Sequence, residues 1–244
     1  MRIAIAGSTG LIGSQVSALA EAAGHQVVGI ARNRGMDLLQ PVGLSDVLRG
    51  VHAVIDVTSS PSQDEDEATS FFETVATNLG KAATEAGVRR SIVLSIVGVD
   101  RTPDYGYYRA KLAQEEATRA AAPGPVVLRA TQFHEFAGQM LGWNRDGKVT
   151  RIIDVPTQPV ASAEIARLLL ELATADEAAD TDIAGPRVEE LVDQVQTLVD
   201  LRHDDLAVEA VTAPASMAEG SMLPGPDALV RGPRWDDWLA ESAI

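Results

Sequence analysis

Short apolar runs alternate with longer stretches of helical periodicity through the first 130 residues. Ile3–Ala6, Gln26–Ala31, Ala53–Val57, Ser91–Val97 and Val126–Ala130 are short, rich in Ile, Val and Leu, and nearly free of charge, so they predict buried strands. Between them, Leu11–Ala23, Leu44–Arg49, Glu67–Ala86 and Tyr107–Ala121 carry helical spacing. Gly24, Gly50 and Gly87 stop three of these helices, and Pro123-Gly124 follows the fourth. Met36-Asp37-Leu38-Leu39 predicts one further short strand, which makes Val126–Ala130 the sixth. Charge-poor strands alternating with amphipathic helices predict an α/β fold whose parallel sheet is covered on both faces.

The pattern weakens beyond residue 140. Ser162–Ala173 and Val188–Val199 predict helices, and Thr181–Ala184 and Ala207–Val211 predict short strands. The tail is loop-rich, with Leu223-Pro224-Gly225-Pro226 and Gly232-Pro233, and its Trp235 and Trp238 are expected to pack it onto the body. The expected organisation is a single domain over 1–244. A core spans 1–135, and a smaller lobe over 136–244 is interleaved with it.

Composition narrows the partners. There are 35 acidic against 20 basic residues, a net charge of -15, which repels phosphate backbones and anionic membranes. Neither nucleic acid nor membrane is therefore an expected partner, and any bound phosphate needs a local pocket. Cysteine is absent and the four histidines (His25, His52, His134, His203) are scattered, so no metal site is expected. No apolar stretch reaches the roughly 20 residues of a membrane span. The chain runs from Met1 straight into a strand without a signal-peptide pattern, so the expected location is cytoplasmic. The acidic run Gln63-Asp64-Glu65-Asp66-Glu67 falls where carboxylates favour a helix N-terminus.

Gly7-Ser8-Thr9-Gly10-Leu11-Ile12-Gly13 follows the first strand and opens the first helix. That is the context of a dinucleotide fingerprint on a Rossmann-type, doubly wound parallel sheet. Gly7 permits the tight turn, Gly10 admits a pyrophosphate to the backbone, and Gly13 lets helix and strand approach. The free N–H groups of the helix start complete the anion site. After the second strand comes Arg32-Asn33-Arg34, without an acid for ribose hydroxyls. Arg32 can pair bidentately with a 2′-phosphate, so the expected cofactor is NADP(H) over NAD(H).

Tyr107-Tyr108-Arg109-Ala110-Lys111 gives Tyr-x-x-x-Lys, using one of only three lysines in the chain. At i and i+4 the phenol and the ammonium share a helix face. The ammonium is expected to lower the Tyr107 pKa and to bond the nicotinamide ribose. Tyr107 would then exchange a proton with a carbonyl oxygen. Ser95, twelve residues earlier at a strand end, would hold that oxygen, with Ser91 as its competitor. Tyr105 has Arg109 at +4 and not a lysine.

These motifs resemble the short-chain dehydrogenase/reductase superfamily, most of all its atypical and extended branches with NmrA-like, NAD(P)H-binding members. The resemblance rests on Gly7-x-x-Gly10-x-x-Gly13, Ala53–Thr58, Asn78-Leu79, Val93-Leu94-Ser95 and Tyr107-x-x-x-Lys111, with Gln158-Pro159-Val160 beyond them. It covers about residues 1–135 firmly. It implies a small C-terminal substrate lobe, a small-molecule substrate and association into a homo-oligomer. It also implies that Thr58 and Ser59 line the cofactor near its ribose and that Asp37 and Leu38 reach the adenine. Thr131, Gln132 and Phe133 would flank the nicotinamide, and Gln132, Phe133, His134 and Phe136 would stand toward substrate. Ala130-Thr131 replaces the Pro-Gly frequent in the family. The functional expectation is an NADPH-dependent reductase of a carbonyl- or quinone-like small molecule. The alternatives are a non-catalytic, NmrA-like redox sensor and a nucleotide-sugar epimerase or dehydratase.

Overall fold

The structure is a computed structural model that describes residues 1–241. Its main sheet has seven strands, all pairing in parallel. In chain order they are β1 (Arg2–Ala6), β2 (Gln26–Ile30), β3 (Ala53–Asp56), β4 (Arg90–Ile96), β5 (Pro125–Ala130), β9 (Thr181–Ala184) and β12 (Leu229–Val230). Across the sheet the order is β12-β9-β5-β4-β3-β1-β2. The winding reverses between β1 and β3, and open α/β sheets bind ligands at such a reversal.

Alternation along the strands sorts the side chains onto two faces. Ile3, Ile5, Ile55, Ile92 and Leu128 pack against Ile12 and Val16 of α1 (Leu11–Ala22) and Ile165 and Leu169 of α6 (Ser162–Thr174). Ala4, Ala6 and Val54 face Val75 and Leu79 of α3 (Glu65–Glu85) and Leu44 of α2 (Leu44–Val47). Beside α3 lies α4 (Gly106–Ala121), with Phe72, Ala68 and Ala110 interlocked between them. Gly80 lets the helices close up, since a Cβ there would lie 2.8 Å from the Ala121 carbonyl carbon. Asp64 caps α3 by accepting the Glu67 N–H at 3.1 Å, and Glu65, Asp66 and Glu67 sit in its first turn.

The C-terminal part builds a lobe over the carboxyl ends of β4 and β5. It contains α5 (Phe136–Trp143), the strands β6 (Arg145–Asp146), β7 (Val149–Ile153), β8 (Pro156–Thr157), β10 (Glu189–Glu190) and β11 (Ala207–Val211), and the helices α7 (Leu191–Arg202), α8 (Ala215–Ala218) and α9 (Trp235–Glu241). Leu141, Ile152, Leu191, Val195, Leu198 and Trp235 form its core, which Val99 and Tyr108 from the first half join. α6, β9 and β12 return to the main sheet body, so the two parts interleave along the chain.

Two expectations need correction. Met36–Leu39 is not a strand. The chain leaves β2 through a 3-10 turn at Arg32–Arg34 and a left-handed Gly35 (φ 84°), and Asp37 Oδ1 accepts the Leu39 N–H at 3.0 Å. That side-chain bond competes with a ladder. Val126–Ala130 accordingly lies in the fifth strand. In the lobe, α5 and β7 went unread because the first carries two glycines and two aromatics in eight residues and the second sets Thr150 and Arg151 side by side between Val149 and Ile152, breaking a period of two.

Candidate active site

The glycine turn has the shape its sequence implies. Gly7 adopts φ 82°, and a Cβ on it would stand 2.8 Å from the Val57 carbonyl oxygen. A Cβ on Gly13 would stand 2.2 Å from the Gly7 oxygen, so only glycine lets α1 start here. The Leu11, Ile12 and Gly13 amides, as the first turn of α1, have no intrahelical acceptors. Gly10 gives no side-chain cap, and no acid sits in that turn. These features fit the pyrophosphate of a dinucleotide. The Ile12 side chain itself is buried in the core, whereas Thr9 and Gly10 are exposed. Ser8 is buried, with its N–H 3.3 Å from the Ile30 oxygen.

At the end of β2 the two arginines are placed differently. Arg32 and Arg34 are both exposed in the 3-10 turn, and the Arg34 guanidinium folds back over Gly29. A Cβ on Gly29 would lie 3.2 Å from Arg34 Nη1 and 3.0 Å from Ser8 Oγ. Glycine at position 29 thus makes room for a guanidinium beside the glycine turn. Asp37 is exposed, but the Leu38 side chain is turned into the core, and its carbonyl accepts from Asn78 Nδ2 at 2.9 Å. A Leu38 side-chain contact to adenine is therefore not what the fold offers.

The catalytic candidates gather at the carboxyl ends of β3 and β4. Ser95 is 2% exposed and its Oγ makes no hydrogen bond within the described residues. Ser91 is also unpaired, but it sits at the far, amino end of β4 beside Pro125. Tyr107, on the first turn of α4, packs edge-on against Phe72, with ring centroids 5.9 Å apart. Its hydroxyl bonds the Ser59 hydroxyl, while burial pushes its pKa up. The shift is upward, opposite to the expected lowering, and the nearby ammonium has partners of its own. Lys111 Nζ donates to the Leu94 carbonyl at 2.8 Å and to Gln114 Oε1, and it lies 4.7 Å from the centre of the Phe72 ring. Burial pulls the Lys111 pKa down to about 8 against the opposing pull of Asp56 and Glu115. Thr58 N–H and Oγ1 both donate to Asp56 Oδ1, at 2.9 and 2.7 Å.

Residues beyond β5 divide. Thr131 Oγ1 donates to the Gln158 carbonyl at 2.6 Å, so its hydroxyl staples two loops. Gln132 Nε2 reaches the buried Tyr108 hydroxyl at 3.3 Å, and its Oε1 is buried without a partner. Phe133 bridges to Val160 and Phe136 lies half-buried at the edge of the lobe core. His134 is enclosed. It is 1% exposed, its Nε2 is 3.1 Å from the Pro159 oxygen, and its carbonyl accepts from Trp235 Nε1 at 3.1 Å. Its ring meets Trp238 edge-on at 5.1 Å, and burial lowers its pKa to about 4. The tail tryptophans thus pack against His134.

Three residues of this region were missed in the sequence. Gln114 and Phe72 look like ordinary helix residues, although Gln114 lies at +3 from Lys111 and so shares its face. Asp56 was visible as the one acid closing an apolar strand.

A parallel sheet, an uncapped glycine turn at its reversal and a tyrosine–lysine helix beside the next strand ends define the class of NAD(P)-dependent oxidoreductases of the short-chain dehydrogenase/reductase type. The NAD(P)H-binding family model matches residues 7–176, and the chain belongs to that family. It is 26% identical, over 85% of its length and 78% of the other's, to the (4-alkanoyl-5-oxo-2,5-dihydrofuran-3-yl)methyl phosphate reductase of Streptomyces griseus subsp. griseus. A dTDP-4-dehydrorhamnose reductase from Clostridium acetobutylicum shares the fold at TM-score 0.75 and 16% identity, covering 99% of this chain and 98% of that one. MoeE5, solved with UDP-glucose and NAD, does so at TM-score 0.72 and 19% identity over 88% and 87%. Among the described residues, no helix is long and apolar enough to cross a membrane.

Proposed function

We propose that the protein is an NADPH-dependent reductase of a carbonyl-bearing small molecule, quinones included, with Tyr107 as proton donor. The observation that carries this reading is the set of groups at the carboxyl ends of β3 and β4. Ser95 Oγ, unpaired among the described residues, the Tyr107 hydroxyl on Ser59 and the Lys111 ammonium on the Leu94 carbonyl are placed there, and β3 lies next to β1, which leads into the glycine turn. The nicotinamide supplies hydride when bound. Ser95 Oγ donates to the substrate oxygen, which gives that buried hydroxyl the partner it lacks. Tyr107 passes its proton to the same oxygen as charge develops there. Burial keeps the phenol protonated at neutral pH, which is the form a donor needs and the wrong form for a base. Arg34, lying over Gly29 beside Ser8, supports NADP over NAD through a charge-assisted contact to a 2′-phosphate. The Streptomyces griseus relative is named for a substrate with oxo and alkanoyl groups, which agrees with a carbonyl-bearing substrate class.

One observation favours a second reading, a nucleotide-binding sensor without turnover. The Lys111 ammonium is committed to Leu94 and Gln114 and does not lower the Tyr107 pKa. The test is NADPH oxidation over a panel of aldehydes, ketones, unsaturated lactones and quinones, with Tyr107→Phe beside it. The reductase reading expects turnover that falls on the order of a hundredfold or more in the variant while NADPH binding persists. Tight NADPH binding with no turnover on any member would leave the sensor.

A further inference from the structure

Lys111 is 5% exposed and cannot borrow solvent to hold its charge. Its partners come from three directions. β4 offers the Leu94 carbonyl at 2.8 Å, α3 the face of Phe72 at 4.7 Å, and α4 the amide oxygen of Gln114. Gln114 is 0% exposed, and its Nε2 donates to Asp56 Oδ2 at 3.0 Å. The other oxygen of Asp56 holds Thr58. A continuous buried chain therefore runs from Thr58 at the end of β3 through Asp56 and Gln114 to Lys111 and the Leu94 carbonyl.

The orientation of the Gln114 amide follows from its neighbours. Turned over, it would set its NH2 against the ammonium and its oxygen against the carboxylate, opposing both charges. The carboxylates that face the ammonium are Asp56 from β3 and Glu115 from α4, and Glu115 is itself committed to Arg129 at 2.9 and 2.8 Å. An ammonium has three N–H donors, and Leu94 and Gln114 occupy two. The remaining one is the only donor left for a ligand.

We propose that Gln114 is a positioning residue: its amide, anchored on the Asp56 carboxylate, holds the Lys111 ammonium at one point between β4 and the Phe72 ring. It thereby ties the lysine to the end of β3 that carries Thr58. This rests on the reductase reading only for its kinetic consequence. The positioning itself is independent of turnover.

The chain holds three lysines, Lys81, Lys111 and Lys148, so a side-chain NMR titration of isotope-labelled lysine resolves Lys111 directly. In the full-length protein Lys111 is expected to titrate near 8. Gln114→Met keeps the volume and removes both bonds, and Lys111 should then titrate about one pH unit lower. Gln114→Glu restores an acceptor and should bring the titration back up relative to Gln114→Met. In turnover, Gln114→Met should lower kcat on the order of tenfold to a hundredfold with KM for NADPH little changed, and move the alkaline limb of the pH profile down with the lysine. A Lys111 titration identical in the wild type and both variants overturns the proposal, whatever the kinetics. A titration that moves as expected in a protein that turns over no substrate upholds Gln114 and removes the reductase reading instead. If Gln114→Met fails to fold, the comparison of wild type with Gln114→Asn, too short to reach both Lys111 and Asp56, decides alone, with a downward shift required.

Discussion

Gly13 stands so close to Gly7 that a Cβ on it would be 2.2 Å from the Gly7 carbonyl oxygen. Alanine in a helix interior ordinarily gains up to about 1 kcal/mol over glycine. Here the neighbour is backbone in a turn fixed at φ 82°, which has nowhere to move. Gly13→Ala should therefore lower the melting temperature and weaken NADPH binding on the order of tenfold or more, because displacing Gly7 moves the amides that face the pyrophosphate. Parallel thermal unfolding and calorimetric titration read both effects. A variant that binds as well as the wild type would show that the turn does not shape the cofactor site.

The two arginines after β2 separate by experiment. Both are exposed in the 3-10 turn, and Arg34 is the one that lies over Gly29, on the side of Ser8. A charged hydrogen bond contributes about 1.5–3 kcal/mol, so Arg34→Ala should cost roughly tenfold to a hundredfold in NADPH affinity and leave NADH affinity nearly unchanged. Arg32→Ala should cost less. Equal losses for both nucleotides in Arg34→Ala would show that the guanidinium reads no 2′-phosphate.

Glu115 and Arg129 form the most buried ion pair that touches this site. Glu115 is 2% exposed, and Arg129 grips both its oxygens while reaching Asp100 at 2.8 Å. These contacts push the Arg129 pKa up. Arg129→Met strands the Glu115 carboxylate, with Arg119 no nearer than 4.0 Å, and should cost about 3–5 kcal/mol in urea unfolding. The double variant Glu115→Leu/Arg129→Met removes the stranded charge and should recover most of that loss. Additive losses would contradict the pairing.

The first half of the fold was legible because its strands are buried on both faces and its helices end at glycines, so period and punctuation agree. The glycine turn was equally legible, since two of its three glycines answer to a close contact in the structure: Gly7 to Val57 and Gly13 to Gly7. What the sequence hid depends on three-dimensional partners. Nothing in the spacing of Arg32 and Arg34 says which one folds over Gly29. Tyr107 and Lys111 were recognisable as a pair at i and i+4, yet the ammonium is drawn away by Gln114 and Leu94, the first a neighbour on the same helix face and the second a backbone carbonyl. His134 looked like a site residue from its position after β5, and only the returning tail shows that Trp235 and Trp238 cover it.

That buried histidine makes stability depend on pH in a direction that can be worked out. Its pKa is about 4 in the folded protein against 6.5 for the free side chain. Between those values the unfolded chain binds a proton that the folded chain refuses, so stability rises with pH across the window and falls as pH drops from 6.5 toward 4. Below 4 both states are protonated and the histidine contributes no further change. The ring nitrogen on the Pro159 oxygen favours the charged form, but desolvation beneath the tryptophans outweighs it. The loss is expected to be on the order of 2 kcal/mol between pH 7 and pH 4.5. Many carboxylates titrate in the same range, so the comparison needs His134→Gln, which keeps a neutral polar side chain at every pH. Urea unfolding of both proteins at the two pH values isolates the difference. The wild type should lose more stability than the variant, and equal losses would place His134 in contact with water and the tail tryptophans away from it.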